Sequence, residues 1–245
     1  MKILIIVQAR MTSTRLPGKV LMSVLGKPLL EYQIQRLQRV SLADGLCVAC
    51  TLNEADKPIV ALTERLNVKL YQGSEKDVLA RHFEAALKYK AEHIIRVTSD
   101  CPLIDPFELD LLISAFLSHS PKLDYMSSGL IRSYPRGMEA EIFSFDVLRL
   151  AHQEAKEDFE REHVTPFIYR HPERFRLAGF SFNQNQSNHR WTVDTHEDFE
   201  LVKKIITELF PAKPEFSIYD VLALLSERQD LIEINSHVRQ KGCTE

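Results

Sequence analysis

Three cations lie on one short segment near the start of the chain. Residues 8–19 read QARMTSTRLPGK, with Arg10, Arg15 and Lys19 separated by hydroxyl-bearing and small residues. A guanidinium contacts phosphate oxygens at two points and an ammonium acts as a compact charge, so this set suits a triphosphate. Gly18 permits a positive φ or a close approach of the backbone. The alternative is a solvated basic loop, because surface charges need no function.

This segment fits neither of two common phosphate-binding motifs. The chain contains no G-x-G-x-x-G sequence, so the dinucleotide-binding fingerprint is absent. Gly18-Lys19 is followed by Val20 and Gly26-Lys27 by Pro28, whereas a P-loop requires Ser or Thr at that position. A phosphate site here therefore depends on the local cations.

Two aspartates follow segments that have the pattern of strands. Asp100 comes shortly after His93–Val97, and Asp194 comes directly after Trp191–Val193. Ligands of open α/β sheets bind beyond the carboxyl ends of strands, and Mg²⁺ prefers oxygen ligands. We therefore expect the two carboxylates to approach each other and share one Mg²⁺. Alternatively, Asp100 caps a turn and Asp194 caps a helix, although Thr195 can fill the second role.

The first half of the chain alternates strand and helix patterns. Short apolar runs predict strands, and apolar residues every three or four positions predict helices. The predicted strands are Ile3–Val7, Leu46–Thr51, Val68–Tyr71 and His93–Val97, and the predicted helices are Leu29–Val40, Pro58–Leu66 and Val78–Tyr89. This order predicts an α/β fold with a mostly parallel sheet and helices on both faces, a three-layer α/β/α sandwich.

The second half of the chain has a different pattern. Asp105, Pro106 and Glu108 predict a helix that begins with a capping box. Tyr125–Ser144 contains turn residues and an alternating segment, Glu139–Phe143, which together predict a small antiparallel excursion that walls a pocket. Further strands are predicted at Phe175–Phe182 and Trp191–Val193, and further helices from Thr195 and over about Tyr219–Arg228.

The bulk properties exclude several classes of partner. The 245 residues carry 31 basic and 34 acidic side chains, a net charge of −3, so no general field favours nucleic acid or an anionic membrane. The apolar run of Met1–Val7 stops at Gln8 without a cleavage site, and no stretch reaches the ~18 residues of a membrane span. The expected location is the cytoplasm. Cys47 and Cys50 form a C-x-x-C within a core strand pattern, where we expect a structural role.

Several segments together resemble a known family. Beside residues 8–19, they are GKPLLE at 26–31, GSEKDVL at 73–79, DCPLI at 100–104, REHVTP at 161–166, WTVDT at 191–195 and EINSHV at 233–238. The chain resembles the spore coat polysaccharide biosynthesis protein F family, whose relatives are the cytidylyltransferases that activate 3-deoxy-manno-octulosonate and sialic acids. The resemblance implies a Rossmann-like fold of the nucleotide-diphospho-sugar transferase type. It also implies one domain over residues 1–245, with a nucleotide-binding half (1–122), an acceptor-binding excursion (123–190) and a return to the sheet with C-terminal helices (191–245).

The resemblance also implies roles for residues. Lys19, Arg15 and Asp100 would be catalytic, and Asp100 and Asp194 would bind Mg²⁺. The nucleotide-binding set would be Gln8, Ala9, Arg10, Ser13, Arg15, Lys19, Gly73, Ser74, Asp77 and Thr98. The acceptor-binding set would be Tyr134, Arg136, Glu139, Glu141, His163 and Arg190. His163 could instead be a core histidine, and Arg136 stands where many relatives have an acidic or small residue.

The implied reaction is transfer of CMP from CTP to a sugar acid or related acidic metabolite, with release of pyrophosphate, in surface polysaccharide biosynthesis. A homodimer is expected by analogy. Two other classes remain open: a metal-dependent glycosyltransferase that consumes a nucleotide-sugar, and a non-catalytic nucleotide-binding protein of a glycan pathway. Thr98-Ser99-Asp100 lacks the first Asp of a glycosyltransferase Asp-x-Asp, and the presence of Lys19, Asp100 and Asp194 disfavours the non-catalytic class.

Overall fold

The structure, a computed structural model, describes residues 2–240. Its strands are β1 (Ile3–Gln8), β2 (Ser23–Val24), β3 (Lys27–Pro28), β4 (Gly45–Thr51), β5 (Lys69–Gly73), β6 (His93–Thr98), β7 (Tyr125–Ser127), β8 (Glu141–Ser144) and β9 (Leu177–Gly179). Seven of them form one sheet in the order β5-β4-β1-β6-β8-β7-β9, and β2 pairs with β3 separately. Strands β5, β4, β1 and β6 are parallel, whereas β8 runs antiparallel to both β6 and β7. The mostly parallel sheet and the antiparallel excursion are therefore confirmed.

Helices cover both faces of this sheet. They are α1 (Leu29–Leu37), α2 (Lys57–Arg65), α3 (Val78–Lys88), α4 (Pro106–Ser118), α5 (Phe145–Glu154), α6 (Asp158–His163), α7 (Pro166–Tyr169), α8 (His196–Leu209), α9 (Ile218–Glu227) and α10 (Gln229–Glu233). Side chains alternate along β1, so Ile5 and Val7 pack in the core that includes α1 and α4, while Leu4 and Ile6 pack in the core that includes α3 and α5. This two-sided burial confirms the three-layer sandwich.

Two helix starts determine how the later segments are placed. The Asp105 carboxylate accepts the Phe107 N–H at 2.8 Å and the Ile218 N–H at 2.7 Å, so it caps α4 and holds the start of α9. The predicted capping box is wrong, because Glu108 accepts the Tyr134 hydroxyl at 2.7 Å instead. Thr195 caps α8 in a capping box with Asp198, which leaves Asp194 free of the capping role.

Two predicted strands differ from the structure. Phe175–Phe182 is a strand only over Leu177–Gly179, where it pairs with β7. The strand predicted at Trp191–Val193 is wrong: Trp191 N–H donates to Arg136 O at 2.7 Å and Val193 N–H to Asp100 O at 2.8 Å, so successive bonds go to two different loops. The apolar residues Trp191 and Val193 are both 0% exposed, so the pattern reflected their burial and no neighbouring strand.

The remaining predictions concern the cysteines and membrane-spanning segments. Cys47 and Cys50 lie in β4 and are buried in the two opposite cores, in agreement with a structural role. The fourth cysteine, Cys243, lies outside the described residues. Among residues 2–240, no helix has the length and apolar character that a membrane crossing demands.

Candidate active site

A cleft opens at the carboxyl ends of β1 and β6. Its volume is about 260 Å³, and it collects side chains from the first loop, the start of α3, the end of β6, the end of α6 and the segment before α8. The residues that line it are Gln8, Ala9, Arg10, Ser13, Thr14, Arg15, Lys19, Val78, Arg81, Thr98, Ser99, Asp100, Glu162, His163 and Asp194. The cationic loop and both aspartates predicted from sequence therefore face one space.

Buried polar contacts fix the cationic loop. The carboxylate of Asp56, 0% exposed, accepts the Met11 N–H at 2.7 Å and also the N–H and hydroxyl of Thr51. Gly18 adopts φ 71° and donates its N–H to Met11 O at 2.9 Å, closing the loop immediately before Lys19. The loop is therefore anchored at both ends, which favours a preformed site over a freely solvated loop.

Lys19 lies between the two aspartates. Its Nζ is 2.9 Å from Asp100 Oδ2 and 2.8 Å from Asp194 Oδ1, and Arg15 Nη2 lies 2.8 Å from the same Asp194 oxygen. Burial alone would lower the pKa of Lys19, but the two carboxylates outweigh it and raise that pKa. Burial likewise opposes ionisation of Asp100, yet Lys19 and the Thr98 hydroxyl hold the pKa of Asp100 below its ordinary value. Lys19 and Asp100 are therefore both charged at neutral pH.

A second ion-pair network holds Asp194 from behind. Arg190 donates to Asp194 Oδ2 at 3.0 Å and to both oxygens of the fully buried Asp198, at 2.8 and 2.9 Å. Asn235 adds bonds to Asp198 Oδ1 and to the Arg190 carbonyl. Arg190 thus positions a site residue, and it does not line the cleft.

The oxygen ligands suit Mg²⁺ in chemical type. The ion commonly binds through one or two carboxylates together with substrate phosphates and water. Asp100 and Asp194 both contact the same Nζ atom, at 2.9 and 2.8 Å, so the two carboxylates face one point in the cleft. Such an ion would compete with Lys19 for those oxygens. Residues 2–240 contain no group of three or more His, Cys, Asp and Glu side chains arranged for a metal, so further ligands would come from phosphate or water.

The turn after β5 flanks one end of the cleft. Arg81, 2% exposed, donates from Nη1 to Ser74 O at 2.8 Å, and its Nε has no hydrogen-bond partner among the described residues. Asp77 caps α3 through Ala80 N–H and pairs with Arg161. Gly73 and Ser74 do not line the cleft, and Asp77 lines a neighbouring cavity of about 500 Å³ that shares Arg10 and Glu162 with it.

The opposite wall carries His163. Thr165, two residues on, donates its hydroxyl to Glu141 Oε1 at 2.6 Å, and Glu141 also pairs with Arg96. Arg96 in turn donates to the Gln8 side chain at 3.1 Å. Glu141 therefore joins the wall to β1 and β6, and His163, unlike Glu141, lines the cleft.

The remaining residues of the predicted acceptor set lie away from the cleft lining. Tyr134 is 2% exposed in the core, where its hydroxyl bonds Glu108. Arg136 forms an isolated parallel β-bridge with Arg190, and the Glu139 carboxylate accepts the Gly137 N–H at 2.6 Å. These residues shape the segment beside Asp194, and only His163 of the set lines the cleft.

Sequence reasoning missed several lining residues: Thr14, Val78, Arg81, Ser99 and Glu162. Thr14 lies inside the recognised loop, so proximity could have suggested it. Arg81 carried a weaker signal, as a basic residue on the first turn of the helix that follows the predicted nucleotide-binding residues Gly73, Ser74 and Asp77. Asp56 gave none, because its partner Met11 is distant in sequence.

With this geometry in place, comparison with known proteins gives the family. The family model described as Cytidylyltransferase matches residues 4–230. The chain belongs to the cytidylyltransferase family. It is 32% identical to spore coat polysaccharide biosynthesis protein SpsF of Bacillus subtilis, over 93% of this chain and 95% of that one. Membership confirms the resemblance and identifies the protein as a nucleotidyltransferase.

Two further relatives agree with the cytidylyltransferase fold and activity. The structure of a cytidylyltransferase from Leptospira borgpetersenii superposes with a TM-score of 0.91 at 30% identity, covering 99% of both chains. The 3-deoxy-manno-octulosonate cytidylyltransferase of Geobacter metallireducens is 30% identical over 48% of this chain and 46% of its own. The predicted nucleotidyltransferase fold is therefore confirmed over the described residues, whereas the second resemblance spans about half of the chain.

Proposed function

We propose that the protein transfers CMP from CTP to a sugar acid or a related acidic metabolite and releases pyrophosphate. The observation that carries the proposal is the placement of Lys19 and Arg15 with Asp100 and Asp194 in one cleft at the strand ends. These groups match what attack on a triphosphate requires, namely positioned cations and carboxylates that can hold a metal.

The residues act chiefly through position and charge. An acceptor oxygen attacks the α-phosphorus, and pyrophosphate leaves in line. Lys19 and Arg15 stabilise the charge that develops on the phosphate oxygens, because they are held in place before the reaction. Asp100 and Asp194 orient these cations through the contacts described above. With Mg²⁺ bound, the two aspartates would hold the ion, which neutralises phosphate charge.

The acceptor class rests on relatives. The name of the Bacillus subtilis relative places that protein in spore coat polysaccharide biosynthesis, and that of the Geobacter metallireducens relative names 3-deoxy-manno-octulosonate. We extend both to this chain as a sugar acid used in surface polysaccharide biosynthesis. The adjoining cavity of about 500 Å³ offers space for a second substrate, and its lining combines three cations with four carboxylates: Arg10, Lys76, Arg161, Glu75, Asp77, Asp158 and Glu162.

Pyrophosphate release tests the reaction directly. The four nucleoside triphosphates are each incubated with Mg²⁺ and a panel of sugar acids and phosphorylated metabolites, beginning with 3-deoxy-manno-octulosonate. We expect release with CTP and at least one sugar acid, and little with ATP. Equal calorimetric affinity for CTP and ATP would contradict the base preference. A nucleotide-sugar as the only productive donor would favour the glycosyltransferase alternative.

Two accompanying expectations complete the proposal. Sedimentation velocity of the purified chain should show a homodimer.

Omission of Mg²⁺ with excess chelator should abolish pyrophosphate release, and restoring the ion should recover it. Continued release in the chelator would contradict the role given to Asp100 and Asp194.

A further inference from the structure

The wall of the cleft opposite the cationic loop contains a strained turn. Val164 has φ 73° and ψ −52°, and Thr165 N–H donates to His163 O at 2.9 Å across it. This is the γ-turn of positive φ, which is rare and strained, and a β-branched residue is an uncommon occupant. Strain of this kind persists only where surrounding contacts enforce it, and it concentrates at functional sites.

Burial and two hydrogen bonds enforce this turn. Val164 is 0% exposed and donates its N–H to Glu160 O at 3.0 Å. The Thr165 hydroxyl bonds Glu141, which also accepts the Tyr125 hydroxyl at 2.5 Å. The backbone on both sides of the strained residue is therefore fixed, and His163 lines the cleft at its start.

The imidazole of His163 is held by packing and left unbonded. Its ring packs on Phe159 with centroids 4.7 Å apart. Neither ring nitrogen forms a hydrogen bond to another residue in the described range. A side chain that is fixed in place, faces a reaction cleft and has an unused acceptor nitrogen has the features of a general base.

The other candidate bases in the cleft are less suited. Asp100 and Asp194 are each bonded to Lys19, and proton uptake by either would disrupt these ion pairs. Glu162 is exposed to solvent. Burial lowers the pKa of His163, Glu162 and Glu141 oppose that shift, and Arg96 on β6 reinforces it, so the imidazole is neutral at pH 7 and can accept a proton.

We propose that His163 is the general base that takes the proton from the attacking hydroxyl of the acceptor. This inference rests on the proposed function. The acceptor O–H bond breaks, and its proton passes to an imidazole nitrogen as the oxygen bonds the α-phosphorus. The bond from the α-phosphorus to the β-phosphate bridging oxygen breaks, and pyrophosphate leaves with the electron pair. The imidazolium then returns its proton to solvent.

The test compares wild type with His163→Gln, which keeps a polar side chain but cannot take up a proton in this range. CTP, Mg²⁺ and the acceptor giving the fastest pyrophosphate release are used from about pH 5 to 8.5, with CTP affinity measured by calorimetry. We expect kcat to fall by about 100-fold, within the usual range for loss of a general base. CTP affinity should change by less than about twofold, since the base acts on the other substrate. The decline of wild-type kcat/KM at acidic pH should disappear in the variant.

Two further variants separate chemistry from folding. His163→Ala should regain part of its turnover when imidazole is added, which a purely structural role would not allow. His119→Gln, an exposed histidine at the end of α4, should match wild type. Turnover of His163→Gln within about fivefold of wild type, or loss of CTP affinity in step with kcat, would overturn the role of His163. Absence of pyrophosphate release from wild type with every acceptor would refute the proposed function, and the role of His163 with it.

Discussion

At the scale of single residues, the ammonium of Lys19 has the most demanding surroundings. It is 8% exposed and has two carboxylates and a neighbouring guanidinium within reach. A buried charge is tolerated only when its partners and hydrogen bonds compensate for lost water, and here Asp100 and Asp194 do so. The same contacts hold Lys19 where phosphate charge would develop, so little reorganisation is needed during reaction.

Replacement of Lys19 should therefore affect turnover more than nucleotide affinity. We expect Lys19→Ala to lose about 3 kcal/mol of transition-state stabilisation, comparable to removal of one oxyanion donor. Lys19→Arg should recover only part of it, because a planar fork cannot occupy the point between the carboxylates of Asp100 and Asp194. Steady-state kinetics and CTP calorimetry measure both effects, with the exposed Lys57→Ala as control. Near-normal turnover of a folded Lys19→Ala would remove the main support for the enzyme mechanism.

Lys19, Arg15 and Asp100 were predictable as site residues because they lie on distinctive segments that follow a strand. Asp194 was predicted from its motif, although the strand expected before it is absent. Arg81 and Asp56 escaped because their importance lies in partners brought by the fold, the Ser74 carbonyl and the Met11 N–H. Such roles require coordinates, since nothing in the spacing encodes the contact.

At the scale of elements, the segment before α8 depends on the turn at Gly137. This glycine has φ 98°, and a Cβ there would lie 2.5 Å from Thr192 N and 2.8 Å from the Trp191 carbonyl carbon. The backbone of the two segments therefore touches, and Trp191 N–H bonds Arg136 O beside the contact. Because Asp194 follows two residues later, the turn determines where this carboxylate reaches the cleft.

Gly137→Ala should consequently damage both stability and activity. The positive φ alone costs about 1–2 kcal/mol, and the backbone clash adds about 1–3 kcal/mol. Gly26→Ala is the matched control, because its φ is 78° but nothing lies within 4 Å of the added Cβ. Chemical denaturation should rank Gly137→Ala as the less stable variant, and only it should lose turnover. Equal losses for the two variants would show that the contact with Thr192 is unimportant.

The elements themselves were predictable where periodicity and position agreed. The parallel strands β1, β4, β5 and β6 and the helices between them follow from apolar runs and helical spacing. Helices α6, α7 and α10 were not predicted, because helices of 6, 4 and 5 residues give too few repeats for a period. Helix α5, with 10 residues, was missed although it is long enough to show one. The false strand at Trp191–Val193 shows that a short apolar run reports burial and does not by itself report a neighbouring strand.

At the scale of the whole molecule, the cleft has a charge opposite in sign to the net charge of the protein. The net charge is −3, yet the cleft gathers four cations, Arg10, Arg15, Lys19 and Arg81, against three carboxylates, Asp100, Glu162 and Asp194. A triphosphate therefore meets weak overall repulsion from the protein and a local excess of positive charge at the sheet edge. Fields of exposed charges fade beyond a Debye length of about 10 Å at 0.1 M salt, so the local cluster dominates binding.

Salt and a single substitution should separate the effect of the net charge on CTP binding from the effect of the local cationic cluster. Arg10 is a partly exposed member of the cluster, 3.7 Å from Glu75, and the family resemblance implies that it binds the nucleotide. We expect CTP binding to weaken as salt rises from about 0.05 to 0.5 M, because screening acts on exposed phosphate contacts. Arg10→Ala should bind CTP more weakly and respond less to salt, since one screened contact is gone. Arg149→Ala removes the same charge from an exposed position on α5 and should retain wild-type affinity and salt response. If calorimetry finds the same loss for both variants, CTP responds to net charge, and the cationic loop has no special part in binding it.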